Sequence, residues 1–165
     1  MPRAIPALLA ALLLAAAQPC LALSSDRDQP MELEADHANI DDQRGVHVYT
    51  GNVIITQGTM RITADHLTVK LRDGDIVEAI ALGQPATYRQ RPDGKEQDVE
   101  AKSLRMEYYA DKGELILIDQ ARVWQGRDTF SSQRIHYDID QDIVNAGDGQ
   151  NRVKIILQPK PKAQP

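Results

Sequence analysis

Tyr49–Asp65 reads YTGNVIITQGTMRITAD, and the fold turns on how its apolar residues are spaced. Met60, Ile62 and Ala64 alternate with Arg61 and Thr63, a period of two that puts one set on each face of a β-strand. Gln57-Gly58 interrupts the run as a turn would. The stretch holds a valine, three isoleucines and a methionine, but no His, Cys or Ser, and Asp65 at its end is its only acid. Nothing in it can attack, coordinate or abstract a proton. Its apolar face is its most distinctive property.

Outward from this stretch the same alternation recurs. Met31, Leu33 and Ala35 alternate with Glu32 and Glu34. Leu67, Val69 and Leu71 follow, then Leu115 and Leu117, then Ile135, Tyr137 and Ile139, and last Val153, Ile155 and Leu157. Turn-forming clusters lie between them at Asp41–Gly45, Arg72–Asp75, Ala110–Gly113 and Gly147–Asn151. No segment beyond the first two dozen residues carries a useful helical period, so the chain reads as all-β.

The turns also reveal an internal repeat. Glu34-Ala35 recurs as Glu100-Ala101, Gly45 as Gly113, and Gln57-Gly58 as Gln125-Gly126. Asp75-Ile76-Val77 recurs as Asp142-Ile143-Val144. A finer unit links Ala35-Asp36-His37 to Ala64-Asp65-His66. Copies of one hairpin-like unit therefore start near Glu34, Thr63, Glu100 and Ser132. A single copy buries only one face, so the copies must stack to make a core. Two architectures satisfy this: a β-solenoid, or a jelly roll with two apolar faces turned inward.

The first residues, MPRAIPALLAALLLAAAQPCLA, read as an export signal spanning residues 1–22. Arg3 supplies the positive end, Ala7–Ala17 the apolar run, and Cys20-Leu21-Ala22 the cleavage site before Leu23. Gln18-Pro19 is a poor context for lipid attachment at Cys20. Cleavage after Ala22 removes the only cysteine, leaving no thiol, disulfide or cysteine metal site. Loss of Arg3, the one charged residue of that segment, takes the net charge from −5 to −6. The remaining residues make one domain, 23–158, followed by a Pro- and Lys-rich tail, 159–165, that reads as disordered. An acidic chain with one Trp and one Phe lacks the basic, aromatic-studded face that nucleic acid requires.

Candidate reactive groups do not assemble into a mechanism. His37 and His66 occupy equivalent repeat positions, which suits a shared strand entry better than a metal site. His47 and His136 each sit between apolar neighbours and read as exposed imidazoles. Asp138-Ile139-Asp140-Gln141-Asp142 has the spacing of a calcium loop, but Ile143 stands where the glycine belongs and Gly149 where the last acid belongs. Glu32 and Glu34 share one strand face without a partner base. There is no nucleophile elbow, phosphate loop or dinucleotide fingerprint. The expectation is no enzyme, no metal and no cofactor.

Three stretches, DQPMELEAD at Asp28–Asp36, YTGNVIITQGTMRITAD at Tyr49–Asp65 and GQPATY at Gly83–Tyr88, carry a resemblance that covers essentially the whole mature chain. The sequence resembles the periplasmic lipopolysaccharide transport bridge proteins of Gram-negative bacteria, in the organic-solvent-tolerance-like β-jelly-roll family. The resemblance implies a twisted, open β-jelly roll of about sixteen short antiparallel strands. It implies a carrier that shelters the lipid A part of lipopolysaccharide on the way from inner to outer membrane. Each exposed methylene costs roughly 0.8 kcal/mol, so a chain of a dozen carbons needs about 10 kcal/mol of continuous shelter. The lining expected to supply it is Met31, Leu33, Val53, Ile55, Met60, Ile62, Leu67, Val69, Tyr88, Met106, Leu115, Leu117, Phe130, Ile135 and Tyr137. The methionines and Tyr88 suit an adaptable lipid surface.

The resemblance further implies head-to-tail self-assembly. One edge is expected at Met31, Glu32, Leu33 and Glu34, and the other at Arg152, Val153, Lys154 and Ile155. Acid faces base across that contact. The other implied partners are jelly-roll domains of the inner-membrane transporter complex and of the outer-membrane translocon. The residues alone leave a second reading open: a periplasmic carbohydrate- or protein-binding β-solenoid that carries no lipid.

Overall fold

Residues 25–159 are described in a computed structural model of the chain. The expected signal segment and the tail from residue 160 onward lie outside them. A 3-10 turn at Ser25–Asp28 leads into ten strands. These are β1 (Met31–Glu34), β2 (His37–Asp41), β3 (Val46–Gln57), β4 (Met60–Arg72), β5 (Asp75–Gln90), β6 (Val99–Tyr109), β7 (Glu114–Gln125), β8 (Asp128–Asp138), β9 (Ile143–Ala146) and β10 (Lys154–Ile156). Neighbours in sequence are neighbours in the sheet from β3 through β8, with β1 and β2 both on β3 and β9 and β10 both on β8. Every pairing is antiparallel. A β-solenoid stacks parallel strands, so the jelly-roll alternative holds.

The strand count is ten rather than about sixteen, and the reason is the length of β3–β8. Each of the five ladders among them slips register near its middle, at Thr50/Val53, Thr63/His66, Leu82/Ala86, Lys102/Arg105 and Ile118/Ala121. Such irregularities bend a strand without ending it. The expectation counted the halves separately. Together the slips form a seam across the sheet. On one side lies a first layer, built of β1, one half of each long strand, and β10. On the other lies a second layer, built of β2, the other halves, and β9.

That the seam folds the layers onto each other follows from one hydrogen bond. Gln125 ends β7 beside Asp128, and Asp142 follows the far end of β8. In a flat sheet the length of β8 would hold them about 30 Å apart. Instead Gln125 Nε2 donates to Asp142 Oδ1 at 2.7 Å. Seam residues suit the bend. In β3, Gly51 (φ +79°) and Asn52 (φ +48°) are left-handed, and in β7 so are Asp119 and Gln120. A Cβ on Gly51 would lie 2.3 Å from the Asp36 carboxylate, so only glycine fits. Asp36 fastens this corner, donating its N–H to the Gly51 carbonyl and accepting from Asn52 Nδ2. The repeated Ala-Asp-His motif is thus a corner motif: its second copy lies at the β4 bend.

Candidate functional site: the apolar interior between the layers

Two rows of side chains, one per layer, line the interior. In the first layer the register runs Leu33, Ile55, Ile62, Tyr88, Ala101, Val123, Phe130, Ile155. In the second it runs Ala38, Tyr49, Leu67, Ala81, Met106, Leu117, Ile135, Ala146. Alanines break each row of large residues: Ala101 follows Tyr88 in the first, and Ala81 separates Leu67 from Met106 in the second. Buried members of both layers belong to one hydrophobic cluster.

Of the expected lining, Val53, Ile55, Leu67, Val69, Tyr88, Met106, Leu115, Leu117, Ile135 and Tyr137 are buried in that cluster. Leu33, Met60, Ile62 and Phe130 are half-buried against it. Met31, at the open edge of β1, is 42% exposed. Burial is deepest in the middle of the molecule and relaxes toward β1 and β2 at one end and β9 and β10 at the other. Sequence reasoning passed over Val99, Val123 and a set of alanines (Ala81, Ala86, Ala101, Ala121) that complete the core. Their alternation was present in VEAKS at Val99–Ser103, but small side chains give a weak apolar signal.

One orientation is reversed. His47 lies on the inward row with Val69 and Ile40, and its side chain is only 17% exposed. Its ring meets Tyr49 edge-on and its Nε2 lies 2.9 Å from Asp42 Oδ1. Val46 and Val48 take the outer face instead. Local apolarity pointed the wrong way because the imidazole finds a carboxylate at the interior's rim.

Polar groups gather at the margins of this interior. At the first layer's rim, Asp26 accepts from the Thr59 N–H (2.7 Å), the Thr59 hydroxyl (2.6 Å) and Gln90 Nε2 (2.8 Å), and the buried Tyr88 hydroxyl donates to Gln90 Oε1. Burial acts to raise the Asp26 carboxyl, but these bonds and the Met60 N–H outweigh it and hold it below its ordinary value. At the opposite end Asp142 joins the layers. It accepts from Gln125 and from the Tyr137 hydroxyl (3.1 Å) and pairs with Lys95 at 3.3 Å. Burial, reinforced by Asp142, pushes the Tyr137 phenol upward. A hollow of about 420 Å³ opens beside this latch, lined in part by Lys95, Val99, Gln125 and Asp142.

Asp138 Oδ1 accepts from the Gln141 N–H at 2.8 Å, and Glu32 and Glu34 lie exposed on the outer side of β1. Among the described residues no group of three or more His, Cys, Asp or Glu is placed to hold a metal ion.

An open, folded-over antiparallel sheet with an unbroken apolar interior and an unpaired strand edge at each end of both layers defines a class: the open β-jelly roll. The family described as the LptA/(LptD N-terminal domain) LPS transport protein matches residues 32–143, and the chain belongs to it. Lipopolysaccharide export system protein LptH of Pseudomonas aeruginosa is 40% identical over 153 residues, covering 87% of each chain. Lipopolysaccharide export system protein LptA of Escherichia coli K12 is 34% identical over 154 residues, 92% of this chain and 83% of that one. The crystal structure of LptH, the LptA homologous periplasmic component of the conserved lipopolysaccharide transport device of P. aeruginosa, superposes with a TM-score of 0.76 at 36% identity. The match covers 82% of this chain and 99% of that one.

Proposed function

We propose that this chain is a periplasmic carrier that holds the lipid A part of lipopolysaccharide between its two layers and passes it toward the outer membrane within a transport assembly. The observation that carries the reading is the unbroken apolar row from Leu33 on β1 to Ile155 on β10. Family membership and the names of the relatives support it. The work is transfer of acyl surface out of water, worth roughly 0.8 kcal/mol per methylene, and it makes and breaks no covalent bond. We therefore read the chain as a carrier rather than an enzyme.

The interior is filled by its own side chains, so an acyl chain enters by parting the layers about the seam. The half-buried residues at the ends and the latch at Asp142 mark where they part. The test is competition: lipopolysaccharide should displace an apolar dye from the interior, whereas its delipidated saccharide should not. Displacement by the saccharide alone would favour a sugar-binding module and defeat the carrier reading.

Assembly is proposed through the first layer's edges. β1 and β10 end its strand order, and their outward ladder groups can accept a further strand. Glu32 and Glu34 on one edge complement Arg152 and Lys154 on the other, which favours head-to-tail addition that does not close. Jelly-roll domains of the inner-membrane transporter complex and of the outer-membrane translocon would dock on the same edges. Export with cleavage before Leu23 completes the proposal, and an intact mass that retained Cys20 with acyl chains would overturn it.

A further inference from the structure

The outward face of the first layer carries charge that the apolar interior does not explain. One register row across it reads Thr63, Thr87, Lys102, Arg122, Ser131, Lys154. The adjacent row reads Arg61, Arg89, Glu100, Trp124. Arg61 stands directly opposite Arg89, and Lys102 directly opposite Arg122. Like charges opposed across strands destabilise a sheet, and here two such pairs lie side by side. Arg89 is paired with Asp98 and, at 4.0 Å, with Glu100. Among the described residues, Arg61, Lys102 and Arg122 form no carboxylate ion pair. The chain as a whole has a net charge of −5, so this strip runs against the molecule's own balance.

At the centre lies Trp124, half-buried, with Lys102 Nζ and Arg122 Cζ each 5.6 Å from its ring centroid. Attraction of a cation to a ring at such a site is worth about 0.5–1 kcal/mol. That offsets part of the repulsion but leaves the positive field in place. A hollow of about 320 Å³ opens here, bordered by Thr63, Thr87, Glu100, Lys102 and Trp124, within the size range of small-ligand sites.

We propose that this outward face is a second binding site, distinct from the interior, and that it takes an anionic oligosaccharide. The cations neutralise carboxylate or phosphate groups on the ligand. The hydroxyls of Thr63, Thr87 and Ser131 and the Glu100 carboxylate suit a partner that also carries many hydroxyls. The row spans six strands at about 4.8 Å spacing, a length of about 24 Å that matches a chain of sugars better than a single anion. A membrane surface fits less well, because Trp124 is framed by charged side chains and Glu100 would meet the anionic headgroups. Its core, from Arg61 on β4 to Arg122 on β7, lies away from the strand edges, so the site operates alongside lipid carriage.

Trp124 is the only tryptophan, so its fluorescence reports on this site directly. The full mature protein is titrated with tetragalacturonate, with the neutral tetrasaccharide cellotetraose, with inorganic phosphate and with anionic phosphatidylglycerol vesicles. Tetragalacturonate is expected to give a saturable change that weakens with salt, with at least tenfold tighter binding than cellotetraose or phosphate. The outward pair K102E/R122E should weaken it at least tenfold while the far-ultraviolet circular dichroism stays unchanged. Should that variant misfold, Arg61→Ser provides the same comparison with a smaller loss. Equal response to phosphate, a response to vesicles alone, or no response at all overturns the proposal. None of these probes except the vesicles carries an acyl chain, so failure here leaves the carrier reading intact.

Discussion

Ile62 and Arg61 are adjacent in sequence and opposite in surroundings. Ile62 packs between Ile55 and Tyr88, whereas Arg61 is exposed on the outer face. Ile62→Asp puts an unpaired carboxylate into an apolar interior. It should abolish lipopolysaccharide binding and lower stability by about 2–5 kcal/mol. Arg61→Asp leaves the interior intact, so lipopolysaccharide should still displace the apolar dye, and stability should change by no more than about 0.5 kcal/mol. Denaturant melts and a lipopolysaccharide binding assay on both variants check this, and equal behaviour would mean the inward register is wrong. Asp26 makes a second residue-scale prediction. Its carboxyl is held below the ordinary value of 3.8, so its contribution is present in full above that pH and is lost as pH falls through the lowered folded value. Asp26→Asn should cost about 1–3 kcal/mol at neutral pH and flatten the stability profile below about pH 4, as urea melts across that range would show.

Strands were the most legible elements, because alternation survives wherever one face is buried. The bends were legible in part. Inward residues change from even to odd numbers between Ala64 and Leu67 and between Ser132 and Ile135, which is what a one-residue slip leaves behind. The number of strands was not legible, because a slip bends a ladder without breaking it. The fastenings were not legible either. Asp26 reaches Gln90 across 64 residues and Asp142 reaches Gln125 across 17, and no local pattern announces such bonds. Asp142 sits at φ +56°, so Asp142→Gly removes the latch without straining the backbone. Amide exchange at β9 and at the 91–98 loop should then quicken at least several-fold. Unchanged exchange would show that the layers are held by packing alone.

For the whole molecule the strand edges decide whether copies join. β10 pairs with β8 over only three residues, and Ile155, Ile156 and Leu157 are exposed, Leu157 at 68%. Such an edge favours strand addition over solitude. Sedimentation across a concentration series should show oligomers that lengthen without closing. Ile155→Pro should cap them, since proline removes a ladder donor and its ring disrupts pairing. Truncation before Arg152 should leave a folded monomer that still binds lipid. A truncated protein that still forms long oligomers would place the joint elsewhere.

The central claim is that lipid travels between the layers, and site-specific photo-crosslinking reads it directly. A photoreactive phenylalanine analogue is placed inward at Ile62, Tyr88 or Phe130 and outward at Lys70 or Arg134 on the second layer, one position per variant. The protein is then irradiated with lipopolysaccharide bound. Crosslinks to lipopolysaccharide from all three inward positions and from neither outward one are the predicted result. Crosslinks from the outward positions alone, or equally from both faces, would contradict the account.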